Sequence, residues 1–266
     1  GTAIAAQRAA ADAGGDRCLH REPAGAKPAI DEADRAWANQ IKAALMANRF
    51  RLVQQPIANL VGEDRPMFDL LVRMLDEAGQ EVLPTEFLAA AERTDLMKNI
   101  DRWIVGAAMS FCAAKQPHRV FVRLSRDSMH DQTLGTWLQQ QLKASGVEPS
   151  RIVFEITEEM AREKPREARS LQGLLSALGI EFAVEHFGAT GDAAALLQRL
   201  PVNYVKIDGA LMQGLANDRP LQERVKALVD VAREHGVTTI AERVEDANTM
   251  AVLWQLGIEF IQGYFV

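Results

Sequence analysis

Eight short runs rich in Val, Ile and Phe recur along the chain, separated by stretches of helical periodicity. This alternation constrains the fold more than any other feature. The runs lie at 51–57, 67–74, 120–124, 152–157, 181–184, 204–207, 238–241 and 259–262. Helical stretches lie between them at 85–93, 100–115, 132–145, 165–178, 193–199, 220–235 and 247–256. Such alternation predicts parallel βαβ units. Eight units close a (β/α)8 TIM-like barrel, typically of ~250 residues, and the chain has 266. The open doubly wound sheet is the competing architecture. It usually announces itself by a glycine-rich turn after the first strand, and no GxGxxG or P-loop string occurs. Only residues 58–66 join the first two strands, with little room for a helix. An antiparallel first strand is therefore expected.

A helix over 31–48, with Trp37, Ile41, Ala44 and Leu45 on one stripe, precedes the first run. Residues 1–28 differ in kind. They comprise an Ala-rich stretch at 3–13, Gly14-Gly15, a short strand candidate at 16–22 and a linker from Pro23 to Pro28. They are expected to be the remnant of an upstream domain, with the barrel domain at 29–266. Hydrophobic residues at 48% and charged residues at 25% suit a globular domain. The net charge of −6 argues against a nucleic-acid polymer as partner. It leaves room for a small anion held in a local pocket. The two cysteines, Cys18 and Cys112, form no CxxC, so a zinc ribbon or thioredoxin-type site is excluded. No apolar run reaches the ~18 residues of a membrane span. The N-terminus lacks the basic start and apolar stretch of a signal peptide. A cytoplasmic location is expected.

Chemistry in such a barrel sits at the C-terminal ends of the strands. Polar residues collect there: Gln55, Asp69 and Arg73, Arg123 with Ser125 and Arg126, Glu155 and Glu158, Glu185 and His186, Lys206 and Asp208, Glu242 with Arg243 and Glu245, and Gln262. Strand ends are often polar simply because they meet solvent. Glu155, Lys206 and Arg123, however, interrupt runs otherwise built for burial, and a buried charge needs a partner or a ligand.

Several strings, in order, resemble the EAL domains, the cyclic di-GMP phosphodiesterase family. They are Gln55-Pro56-Ile57, Leu71-Val72-Arg73, Phe154-Glu155-Ile156-Thr157-Glu158, Phe187-Gly188, Leu200 to Asp208, Ile240-Ala241-Glu242 with Val244-Glu245, and Gln262-Gly263-Tyr264. The resemblance covers about residues 45–266 and implies the EAL barrel with its antiparallel first strand. Residues 1–28 look like the tail of a GGDEF domain, so an upstream GGDEF-like domain is an expected partner.

Active members are expected to use two divalent ions, and two-metal chemistry needs several oxygen ligands. The chain departs from the family pattern at those positions. The Glu of Glu-Ala-Leu is Asp69, and the third-strand Asn is Arg123, whose guanidinium has no acceptor with which to ligate a cation. The Asp-Asp pair is Glu185-His186, the Thr-Gly after Phe-Gly is shifted to Ala189-Thr190, and a seventh-strand Gly is Arg243. Glu155, Lys206, Glu242 and Gln262 stand at matching positions. The expectation is a degenerate site with no catalytic residues and no Mg²⁺ or Mn²⁺. In it Arg123 pairs with Glu155, and with Glu185 or Asp69. His186 could be read as a zinc ligand, but a lone His is more often structural.

Ligand recognition is partly separate from metal chemistry. Gln55, Leu71, Val72, Arg73, Ser125, Arg126, Glu245, Asp246 and Gly263 are the residues expected to bind cyclic di-GMP. Arg73 would meet a phosphate and Leu71 a guanine face. Ser125 and Arg126 would hold the second phosphate or base. Glu245 and Asp246 would accept from guanine N–H groups. The structural alternatives are a salt bridge from Arg73 to Asp76 or Glu77, a surface turn at Arg126 and a solvated Glu245. Degenerate domains of this kind resemble the FimX-type cyclic di-GMP receptors. That likeness implies a role in type IV pilus and twitching-motility control with a PilZ-domain adaptor as partner. A slow phosphodiesterase and an interaction module without nucleotide are the alternatives.

Overall fold

The computed structural model describes residues 30–62 and 65–264. The segment 1–28, read as an upstream remnant, lies outside the described residues. Helix α1 (Glu32–Met46) opens with a capping box, in which Asp34 N–H donates to Asp31 at 2.8 Å. The hairpin β1 (Phe50–Asn59) and β2 (Met67–Leu75) follows, then a two-residue strand β3 (Glu81–Val82). The chain continues through α2 (Pro84–Arg93), α3 (Met97–Lys115), β4 (Arg119–Arg123), α4 (Arg126–Met129) and α5 (Leu134–Ser145). Next come β5 (Ile152–Thr157), α6 (Glu158–Glu163), α7 (Pro165–Ala177), β6 (Glu181–Phe187), α8 (Ala193–Arg199) and β7 (Tyr204–Ile207). It ends with α9 (Arg219–Glu234), β8 (Thr238–Ala241), α10 (Ala247–Leu256) and β9 (Phe260–Gln262).

Strands β2 and β4 to β9 neighbour one another in sequence order, and β1 closes the sheet by pairing with both β9 and β2. The result is an eight-stranded barrel, as the alternation predicts. Strand β1 is antiparallel to both neighbours, from Phe50↔Met74 to Ile57↔Met67 on one side and from Ile57↔Gln262 to Asn59↔Phe260 on the other. Strand β3 lies outside the barrel on the edge of β2. The helical stretches at 134–142 and 221–231 bury Leu134, Leu138, Val225, Leu228 and Val229, so their apolar faces pack within the molecule.

The two-residue period of the strands divides the barrel interior into layers. Lowest, Arg119 of β4 grips Glu181 of β6 through bonds of 2.7 and 2.8 Å. Above it Ile57, Met67, Phe121, Val153, Ala183, Tyr204 and Ile240 form an apolar plug. One step further along each strand come Gln55, Asp69, Arg123, Glu155, Glu185, Lys206 and Gln262. The register that packs the plug therefore also delivers the polar residues to one rim. The second and larger core lies outside the strands, where Val120, Val122, Phe154, Val184 and Val205 meet the helices.

Candidate functional site

Lys206 stands at the centre of the rim with 0% of the residue exposed. Its Nζ donates to Asp69 Oδ2 at 2.8 Å and lies 2.7 Å from Glu155 Oε2, at an angle that makes the latter a charge contact rather than a hydrogen bond. The ammonium also sits 4.9 Å from the centroid of the Phe121 ring, a cation–π arrangement. Burial alone would lower its pKa. The Asp69 and Glu155 carboxylates outweigh burial and hold Lys206 above the ordinary lysine value. Gln262 Nε2 bridges Asp69 Oδ2 at 2.7 Å and Gln55 Oε1 at 2.8 Å, which ties β9, β2 and β1 together at the point of closure.

Arg123 takes a different partner from the first one expected. Its Nε donates to Glu185 Oε1 at 2.8 Å and its Nη2 to Glu185 Oε2. A guanidinium fork fits both oxygens of one carboxylate, and that carboxylate is Glu185, while Glu155 turns to Lys206. The two glutamates respond oppositely. Burial and the neighbouring Glu185 charge raise Glu155 well above the usual carboxylate range, against the pull of Lys206. Burial also works to raise Glu185, but the Arg123 charge draws it down to about 2. The opposite shifts follow from the partners: Arg123 faces Glu185, while Glu155 is crowded by the Glu185 charge.

His186 lies among the acidic groups at the ends of β6, β7 and β8. His186 Nδ1 lies 3.3 Å from Glu242 and 3.4 Å from Asp208, with Nε2 3.7 Å from Glu185. The bond to Glu242 raises its pKa, against burial. Its φ is +55° and that of Arg243 is +53°, left-handed values uncommon outside glycine. Among the described residues no group of three or more His, Cys, Asp or Glu is arranged to hold a metal ion.

A cavity of about 420 Å³ opens beside this rim, between β2, β4, β5 and helices α2, α3 and α6. It brings together Leu71, Val72, Arg73, Ser125 and Arg126 of the expected ligand-binding set, and Asp69, Arg123 and Glu155 line it as well. Arg73 donates to Val72 O at 2.8 Å and lies 3.8 Å from Glu81, not Asp76 or Glu77. Arg126 pairs with Glu163. Ser125 caps α4, and both its N–H and its hydroxyl donate to Asp101. Gln55, Glu245, Asp246 and Gly263 do not line the cavity. Asp246 caps α10, accepting from Thr249 N–H at 2.9 Å and Thr249 Oγ1 at 2.7 Å. A Cβ on Gly263 would meet Val244 O at 2.2 Å, so close backbone packing explains that glycine.

The EAL domain family model matches residues 38–266. The chain belongs to the EAL domain family. Among solved structures, this EAL domain is similar to the FimX EAL domain of Pseudomonas aeruginosa bound to c-di-GMP, with 36% identity and a TM-score of 0.83 over 86% of this chain and 94% of that one. It is similar also to the Xanthomonas citri FimX EAL domain in complex with c-di-GMP, with 28% identity and a TM-score of 0.83 over 88% of this chain and 93% of that one. Among curated proteins it is 32% identical over 86% of its length to the cyclic di-GMP phosphodiesterase PdeB of Shewanella oneidensis, covering 28% of that protein. It is 28% identical over 87% of its length to the cyclic di-GMP phosphodiesterase PdeF of Escherichia coli, covering 31%. The chain therefore spans less than a third of these two curated relatives. No helix among the described residues is long and apolar enough to cross a membrane.

Sequence reasoning missed Asp101, Glu159 and the apolar wall of the cavity, Leu88, Met97, Ile100 and Ile104. The signal for Asp101 was readable. It falls on the stripe of α3 that buries Met97, Ile100, Ile104, Val105 and Ala108, where a carboxylate must have partners.

Proposed function

We propose that this EAL domain is a receptor for cyclic di-GMP that does not hydrolyse it, with the nucleotide seated in the cavity beside β2, β4 and β5. The carrying observation is Arg123, which lines that cavity and holds Glu185 in a two-bond fork. With Asp69 and Glu155 turned to Lys206 and Glu185 to Arg123, the donor set does not fit a pair of divalent ions. A guanidinium there instead offers positive charge toward a phosphodiester. The volume lies within the ~300–1,000 Å³ of small-molecule sites. Arg73 and Arg126 supply further charge in the cavity lining, and Leu71 supplies an apolar face for a purine. Two related FimX domains of known structure hold the same nucleotide, which supports the reading.

Slow phosphodiester hydrolysis is the second reading. It is favoured by the position of Asp69, Glu155 and Lys206 and by the PdeB and PdeF relatives. Output through a PilZ-domain adaptor in type IV pilus control, and a GGDEF-like domain upstream, extend the proposal by the FimX likeness and the sequence resemblance alone.

Calorimetric titration with cyclic di-GMP, with Mg²⁺ and without, separates these readings when the recovered nucleotide is chromatographed. The receptor predicts saturable heat, metal-independent affinity and intact ligand. Linear pGpG would establish the hydrolase, and absence of heat would leave an interaction module. Arg73→Ala should weaken binding by ~1.5–3 kcal/mol, the worth of a charge-assisted hydrogen bond. Unchanged affinity would place the nucleotide elsewhere.

A further inference from the structure

Asp101 belongs to α3, outside the barrel, and is 3% exposed. Three donors converge on its Oδ2: Ser125 N–H at 2.9 Å, Ser125 Oγ at 2.6 Å and Ser128 Oγ at 2.5 Å. The two serines flank Arg126 and Asp127, so one carboxylate oxygen fixes both ends of the turn that leaves β4. Asp101 lines the same cavity as Arg126. Neither serine has its donor free to meet a ligand, since each gives it to Asp101. The turn is thus built to be held from behind, with Arg126 as its outward-facing member.

We propose that Asp101 is the positioning residue of this turn: by gathering three donors on one oxygen it sets Arg126 in the cavity lining and ties nucleotide affinity to a proton. The inference rests on the receptor reading above and deepens it. Three donors on one oxygen suit an ionised carboxylate, whose hydrogen bonds are about twice as strong as neutral ones. Protonation weakens all three and loosens the turn. Burial raises the Asp101 pKa to about 6, against the opposing serine bonds, and Asp127 adds to the rise. Among the other charged groups, Glu92 of α2, Glu159 of α6, Arg123 and Arg126 line the same cavity. A phosphodiester stays anionic throughout this range, so the ligand does not supply the titration.

The test compares the wild type with Asp101→Asn and Asp101→Ala. Asn presents a carbonyl that accepts the same donors without the charge, and Ala removes the anchor. Two measurements are made from pH 5 to pH 8: cyclic di-GMP affinity by calorimetry and amide hydrogen exchange across 125–128. Wild-type affinity should fall about tenfold as the pH drops through 6, the worth of one charge-assisted bond. Asp101→Asn should bind more weakly at pH 8 and lose this pH dependence. Any remainder in that variant belongs to His186 and the other rim groups. Asp101→Ala should lose protection at 125–128 with the melting of the rest of the barrel preserved. Identical pH profiles in wild type and Asp101→Asn would overturn the proposal. So would unchanged exchange in Asp101→Ala, a readout that needs no ligand. A wild type that shows no heat but the expected exchange pattern would remove the receptor reading and the proton-linked affinity, leaving the anchor.

Discussion

Lys206 shows how one side chain can organise a rim. It neutralises Asp69 and contacts Glu155 from a position with no solvent exposure. Replacing it with Met would keep the packing against Phe121 and leave Asp69 without its counter-charge. Removing one member of a buried ion pair costs about 3–5 kcal/mol, because the remaining charge stays buried. Urea unfolding of Lys206→Met should show a loss of that order. A loss below ~1 kcal/mol would mean that the rim carboxylates find protons or water instead. That these residues matter is legible in the sequence, since Glu155, Lys206 and Arg123 interrupt apolar runs. Who pairs with whom is not. Arg123 and Glu155 are direct neighbours in register, yet Arg123 takes Glu185, two strands over. Side-chain length and fork geometry decide that choice, and neither is visible in a pattern of residue types. Asp101 is hidden for another reason: it lies on an outer helix, away from the strand ends where barrel chemistry is expected.

At the scale of elements, alternation was a sufficient guide to the barrel strands because each has one face in the plug and one in the outer core. The short connection 58–66 correctly predicted the antiparallel entry of β1. The two-residue strand β3 and the four-residue helix α4 carry too few residues for any period to show. Helix α3 begins at Met97 rather than 100, since Leu96 and Met97 pack into the outer core. The end of β9 depends on Gly263, which the sequence pattern offers as a ligand contact. A Cβ at Gly263 would lie 2.2 Å from Val244 O and 2.4 Å from Val244 N, both backbone atoms that no rotamer change can move. Val244 N–H also donates to Gln262 O at 3.0 Å, so the segment after β8 and the end of β9 are stitched together at that point. Gly263→Ala should therefore cost about 1–3 kcal/mol by overpacking, read as a lower urea midpoint with an unchanged slope. A variant as stable as wild type would show that the β9 end can shift away from Val244, and would return Gly263 to consideration as a ligand contact.

The whole molecule is a closed sheet, and closure links the ligand cavity to global stability. Strand β1 seals the barrel between β9 and β2, and Gln262 joins Asp69 to Gln55 across that seam. The cavity is walled by β2, β4 and β5 and by the helices around them. No strand of the barrel can leave without opening both the apolar plug and the polar rim. The domain should therefore unfold in one transition, and a ligand that binds only the folded state should move that transition as a unit. At a hundredfold excess over Kd the stabilisation is about 2.7 kcal/mol. For a domain of this size each kcal/mol raises Tm by roughly 2–4 °C. Cyclic di-GMP at that excess should thus raise a single melting transition by about 5–10 °C, as calorimetry or circular dichroism would record. A ligand-sensitive first transition followed by a ligand-insensitive second one would show instead that the β2–β5 half holds the nucleotide while the β6–β9 half melts independently. That outcome would contradict a rim in which Lys206 of β7 and Gln262 of β9 both reach Asp69 of β2.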